Sequence, residues 1–132
     1  MKIAVTKEAL LEGLQRIQNV VSTRPTLPVL TNVLLEADES GVQLTTTDLE
    51  VGIRCRIEAR VEKPGATTLP ARKLVSIIRE LPTSEITIEV DSKNIASIRC
   101  GSSFFKIYGL PREEFPARKT VNFEEARSAP NG

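Results

Sequence analysis

The sequence predicts an α+β domain in which a β-α-β-β-β unit occurs twice, with two helices packed on two antiparallel sheets. Three observations predict it. Two stretches carry apolar residues at helical spacing, and much of the rest alternates apolar and polar with a period of two. The order of elements also repeats after about 63 residues, with Lys7 set against Pro70. Little sequence identity accompanies the repeat, so it is architectural.

Each element has its own signal. In Lys2–Thr6, Ile3 and Val5 fall on one side and Lys2, Ala4 and Thr6 on the other, which predicts a short strand. Thr6 is the expected N-cap of a helix running from Lys7 to about Val21. Leu10, Leu14, Ile17 and Val21 form its buried stripe, and Glu8, Glu12, Gln15, Arg16 and Asn19 its polar face. Ser22-Thr23-Arg24-Pro25 ends it. Val29 to Glu36 is apolar almost throughout, which predicts a strand covered on both faces. A turn at Asp38–Gly41 leads to a strand through Val42, Leu44 and Thr46, and Thr47–Glu50 turns the chain again. The cleanest alternation follows: Val51, Ile53, Cys55, Ile57, Ala59 and Val61 against Arg54, Arg56, Glu58 and Arg60.

Pro64-Gly65 breaks the chain and the order starts over. Ala66 to Leu69 reads as a short strand, and a helix is expected from about Ala71 to Glu80. Leu74, Ile77, Ile78 and Leu81 form its apolar side, with Arg72, Ser76, Arg79 and Glu80 opposite and Lys73 at the flank. Leu81-Pro82 stops it. Strands at 85–90, 95–100 and 103–108 follow, the last two joined by a tight turn at Gly101-Ser102. Regularity fades after Gly109-Leu110-Pro111. Residues 1–120 are expected to form the domain, and 121–132 a linker toward a further domain that this sequence does not hold.

Composition narrows the function. A chain of 132 residues with 40% apolar and 27% charged residues suits one soluble domain with a sizeable core. Its net charge of +1 sets up no overall field toward nucleic acid or membrane, so such a partner must be met by a local patch. The absence of histidine removes imidazole acid/base chemistry and most zinc sites. Cys55 and Cys100 lack a CxxC spacing, and Cys55 reads as a small core residue, so neither a metal nor a cofactor is expected and a reduced, cytoplasmic chain is. Met1-Lys2-Ile3-Ala4-Val5 does not open a leader peptide, and no apolar run approaches the ~18 residues of a membrane span.

Four groups of residues could carry chemistry. Arg24 precedes Pro25-Thr26-Leu27-Pro28, a stiff extended connector, and reads either as part of a helix stop or as a cation held in a fixed place. Asp48 and Glu50 read as turn residues or as an acid/base pair or metal site, but no phosphate loop or nucleophile elbow accompanies them, and no catalytic residue is assigned. The second helix sets Arg72, Lys73 and Arg79 against Glu80, whereas Lys7 and Arg16 in the first cancel Glu8 and Glu12. That cationic face is either solvated surface or a non-specific phosphate track, as is the Arg54, Arg56 and Arg60 face, which favours the outer surface of a sheet. The last strand, Ser103–Tyr108, is apolar on both sides through Phe104, Phe105, Ile107 and Tyr108, as a central strand or as an edge that pairs with another chain.

Several separate, collinear motifs carry a resemblance across residues 1–120. RPTLPVLTNVLLE at 24–36, TTTDLE at 45–50, PGATTLPARKL at 64–74, RELP at 79–82 and GLPREEFP at 109–116 resemble the first domain of the bacterial DNA polymerase III β subunit family, the sliding clamps. The resemblance implies a DNA-clamp domain, one of three similar domains in a chain that pairs head to tail with a second chain to close a ring around double-stranded DNA. Such a ring is a processivity factor of DNA replication: it tethers the DNA polymerase III catalytic subunit, is handled by a clamp loader, and catalyses nothing itself. Arg24, Arg72, Lys73 and Arg79 match DNA-binding residues of the family. Phe105 and Ile107 match the apolar pair of the dimer interface, with Phe104 beside them. Ser102 and Phe104 stand where arginines can occur, which implies a more apolar interface here. A nearly neutral chain with a few helical cations suits enclosure of DNA better than tight or base-specific binding. Two alternatives accompany this expectation. One is a shortened clamp-like module that caps a full clamp through Phe105 and Ile107; the other is an enzyme built on Asp48 and Glu50.

Overall fold

The computed structural model describes residues 1–18, 31–47, 51–116 and 122–125. Strand β1 (Lys2–Thr6) runs straight into α1 (Lys7–Ile17), and β2 (Asn32–Asp38), β3 (Gly41–Thr47) and β4 (Val51–Ile57) follow. Strand β5 (Arg60–Lys63) leads to β6 (Gly65–Pro70), α2 (Ala71–Glu80), β7 (Glu85–Val90), β8 (Ile95–Cys100) and β9 (Ser103–Tyr108). A 3-10 turn at Arg112–Glu114 and β10 (Asn122–Glu125) complete the described chain.

Two five-stranded sheets result, in the orders β5-β1-β7-β8-β9 and β10-β4-β3-β2-β6. Pairing is antiparallel except between β10 and β4. The duplicated units are interlocked, because β1 pairs with β7 and β6 pairs with β2. Each unit's first strand thus completes the other unit's sheet. The helices begin at Lys7 and Ala71, which sets the offset between the units at 64 residues, one more than the sequence pattern suggests.

One core joins both sheets and both helices. Leu10, Leu14 and Ile17 of α1 and Leu74 and Ile78 of α2 are fully buried with Ile3, Leu35, Leu44, Leu69, Ile86 and Ile88. Thr6 caps α1 as expected: its Oγ1 accepts the Ala9 amide at 3.1 Å. The other end of α1 is held from the sheet, where the buried Thr46 hydroxyl donates to the Ile17 carbonyl at 2.8 Å. Gly13 lets α1 lie close to β3 and β4. A Cβ there would stand 2.7 Å from Ile57 Cγ2 and 3.0 Å from Leu44 Cδ1.

Three features differ from the pattern in the sequence. The alternating run through Val61 is not one strand. Glu58 and Ala59 leave the ladder after β4, and β5 joins the opposite sheet beside β1. Alternation continues through this corner because a period of two records which side is buried, not which strand lies alongside. The second feature is the double burial expected of 29–36, which holds for Val33, Leu34 and Leu35 through a separate cover. Leu34 packs against Phe115, with Leu110 beside it. The third is β10, which forms within the stretch expected to be linker.

Candidate nucleic-acid interface

Helix α2 is oriented by what it buries. Ala71, Leu74, Val75, Ile77 and Ile78 face the core, and this leaves Arg72, Lys73, Ser76, Arg79 and Glu80 exposed on one side. At 100° per residue, Arg72, Ser76 and Arg79 fall on nearly one line, and two helical turns separate Arg72 from Arg79 by about 10 Å along the axis. Lys73 and Glu80 form the neighbouring line. Arg72, Lys73 and Arg79 make no ion pair among the described residues, so their charge is turned outward.

The start of α2 is poorly arranged for helix stability alone. Its N-cap is Pro70, which supplies no side-chain hydrogen bond, and its first turn holds no acidic residue. Arg72 and Lys73 stand there instead, beside amides that have no partner within the helix and the positive end of the helix dipole. A helix start that carries two cations attracts an anion such as a phosphate.

Two sheet-side arginines, Arg56 and Arg60, are balanced by carboxylates. Arg56 donates to the Asp38 carboxylate at 2.6 Å and also to the Ser40 hydroxyl. Hydrogen bonds from Ser40, with the Arg56 guanidinium adding to them, hold the Asp38 carboxyl below its ordinary value of 3.8. Arg60 lies 3.3 Å from Glu85 and 3.7 Å from Glu62. Arg54 is half-buried. Arg16, on α1, pairs with Glu12 one turn away. The positive stripe on α2 has no counterpart on α1, whose exposed residues are Glu8, Glu12 and Gln15.

The last strand of the repeat is an edge. Strand β9 pairs with β8 and forms one border of its sheet. Its two faces differ: Ile107 is 1% exposed and Phe105 packs against the core from a half-buried position. Phe104 and Tyr108 are 49% and 71% exposed on the opposite face, and the Arg99 guanidinium lies 5.2 Å from the Phe104 ring centre. Ile107 therefore supports the edge from beneath and offers almost no surface in this chain. Arg24, Asp48 and Glu50 lie outside the described residues. Among the described residues no group of His, Cys, Asp and Glu is placed to hold a metal ion, and no helix is long and apolar enough to cross a membrane.

The motifs, the paired sheets and the two helices are those of a known family. The profile of the DNA polymerase III beta subunit N-terminal domain matches residues 1–119. The chain belongs to this family. The beta sliding clamp of Escherichia coli strain K12 is 40% identical to this beta-subunit domain over 118 residues, covering 88% of the chain and 32% of the clamp. That of Chlamydia muridarum is 36% identical over 116 residues, with the same coverage of 88% and 32%. Among solved structures, the DNA polymerase sliding clamp from Caulobacter crescentus superimposes with a TM-score of 0.84 at 34% identity, over 89% of this chain and 32% of that one. The Bacillus subtilis clamp gives 0.84 at 31% identity, over 89% and 33%. The beta-subunit domain thus spans about a third of the length of the curated relatives it matches.

Two packing contributions are not legible in the sequence. The pattern loses its regularity after Gly109-Leu110-Pro111, yet Leu110 and Phe115 cover Leu34. Lys7 counts in the sequence as one charge on a neutral helix, yet its ammonium reaches the far end of α2. A lysine in the first turn of a helix, where the dipole disfavours it, is the sequence signal that could have marked it.

Proposed function

We propose that this chain is a clamp domain that, together with further domains of its kind, encircles double-stranded DNA and tethers a replicative polymerase to its template without catalysing a reaction itself. The observation that carries the reading is the outward group of Arg72, Lys73 and Arg79, without an ion pair among the described residues, on a domain where Arg16, Arg56, Arg60 and Arg112 each meet a carboxylate. A few cations on one helical face give loose, sequence-independent attraction to phosphates. Base-specific binding calls for side chains at base edges and a stronger basic surface.

In this reading Arg24 joins Arg72, Lys73 and Arg79 in contacting DNA, and the β9 edge pairs with a second clamp chain. Phe104 would contribute exposed area there, while Phe105 and Ile107 hold the strand in place. The DNA polymerase III catalytic subunit and the clamp loader engage the full-length protein, in the cytoplasm. The test is titration of a labelled duplex with this chain at low ionic strength, by fluorescence anisotropy. Each of Arg72→Ala, Lys73→Ala and Arg79→Ala should lower the slope of log affinity against log salt by about 0.9. A triple variant with the affinity and slope of the parent would sink the assignment.

A further inference from the structure

Lys7 occupies the first position of α1, where a cation is disfavoured by the helix dipole. Its ammonium is committed elsewhere. Nζ donates to the Leu81 carbonyl at 2.6 Å and to the Arg79 carbonyl at 3.1 Å, while the Lys7 amide donates to Ser84 at 3.2 Å. Those acceptors lie at the end of α2 and in its link to β7, where carbonyls lack partners within the helix. A lysine placed there satisfies them and suits the negative end of the dipole.

The units are not alike in this respect. The residue equivalent to Lys7 at the start of α2 is Ala71, which has no side-chain donor. The end of α1 is held by the neutral Thr46 hydroxyl instead. Only the end of α2 receives a charged clamp among the described residues, and that end carries Arg79, whose carbonyl is fixed and whose side chain is exposed.

We propose that Lys7 is a positioning residue for DNA binding: by fixing the last turn of α2 it sets where the Arg79 guanidinium meets a phosphate, and it does not contact the phosphate itself. This rests on the DNA-binding reading of α2.

Duplex titrations over a salt series, using this chain, separate the roles. Arg79→Ala should lower the log–log salt slope by about 0.9. Lys7→Met should lower slope and affinity toward those of Arg79→Ala, and Lys7→Arg, which keeps donors for both carbonyls, should restore them. In the Arg79→Ala background, Lys7→Met should change nothing further. Should Lys7→Met fail to fold, Lys7→Ala, which also removes the donor, carries the same comparison.

A double variant that loses a further slope of about 0.9 overturns the proposal, because Lys7 would then be a phosphate contact in its own right. Lys7→Met with a lowered melting temperature but the parent's slope and affinity overturns it as well, leaving a purely structural clamp. If Arg79→Ala itself matches the parent, the DNA reading of Arg79 fails and the proposal falls with it.

Discussion

Leu10, Leu14 and Ile17 in α1 stand at the positions of Leu74, Ile78 and Leu81 in the second unit, and all six are at most 2% exposed. On the same offset, Glu8, Glu12 and Gln15 stand where α2 and its unit carry Arg72, Ser76 and Arg79, and all six are exposed. The buried stripes agree and the exposed faces differ in sign. Packing constrains only the stripe, because removing a buried side chain costs both transfer energy and a cavity. The outer face costs little to change, so function can be written on one copy and not on the other. Connections differ too: residues 18–31 separate α1 from β2, whereas 81–84 separate α2 from β7. Arg24 and its prolines fall between α1 and β2 in the sequence.

The sharpest way to break the equivalence is through the core. Leu10→Ala and Leu74→Ala should each destabilise the domain by about 2–5 kcal/mol in urea unfolding, since both side chains are fully buried. The halves share strands, so each variant should unfold in a single transition. Two separated transitions would show that the units are not one cooperative core.

A second comparison probes helix-to-sheet distance. Gly13→Val should cost about 1–3 kcal/mol by overpacking against Ile57 and Leu44. At the equivalent Ile77, the loss of one methylene in Ile77→Val should cost about 0.5–1.5 kcal/mol. Equal melting temperatures for Gly13→Val and the parent would mean that α1 can move off its sheet without cost.

Helix starts give a smaller effect. Thr6→Ala removes the acceptor of the Ala9 amide and should cost about 1 kcal/mol by the same measurement. Pro70 makes no side-chain cap bond, so only α1 depends on one.

The smallest effect concerns the two matching hairpin turns. Asp38 accepts the Ser40 amide and Asp91 accepts those of Lys93 and Ile95. Both carboxyls are held below 3.8, Asp38 first by the Ser40 side chain and Asp91 first by the Ile95 amide. A depressed folded value means stability that is present above 3.8 and lost as pH falls through the lower folded value. The double variant Asp38→Asn with Asp91→Asn should therefore melt slightly below the parent near neutral pH, with the gap closing in acid. A gap that widens in acid would contradict the direction of both shifts.

Much of the fold was legible because its signals are local. Helix α2 begins and ends where apolar spacing, Pro70 and Pro82 place it, and β7, β8 and β9 keep the bounds read from alternation. The cationic face of α2 was legible for the same reason, since a helix of known phase fixes which side chains share a side. The sheet-side arginines were harder. That Arg56 meets Asp38 and Arg60 meets Glu85 depends on strands brought together from 18 and 25 residues away.

The sequence by itself determined both helix starts, the bounds of α2 and of β7 to β9, the buried stripe of each helix, the family and the exposed Arg72, Lys73 and Arg79. Tertiary structure alone decided that one alternating run serves two sheets, that β1 and β6 exchange units, that Phe115 covers Leu34, and that Lys7 grips the end of α2 from 74 residues away. The physical reason is common to all four. Periodicity states how much of a residue is to be hidden, but which neighbour hides it is settled only when distant segments compete for the same core.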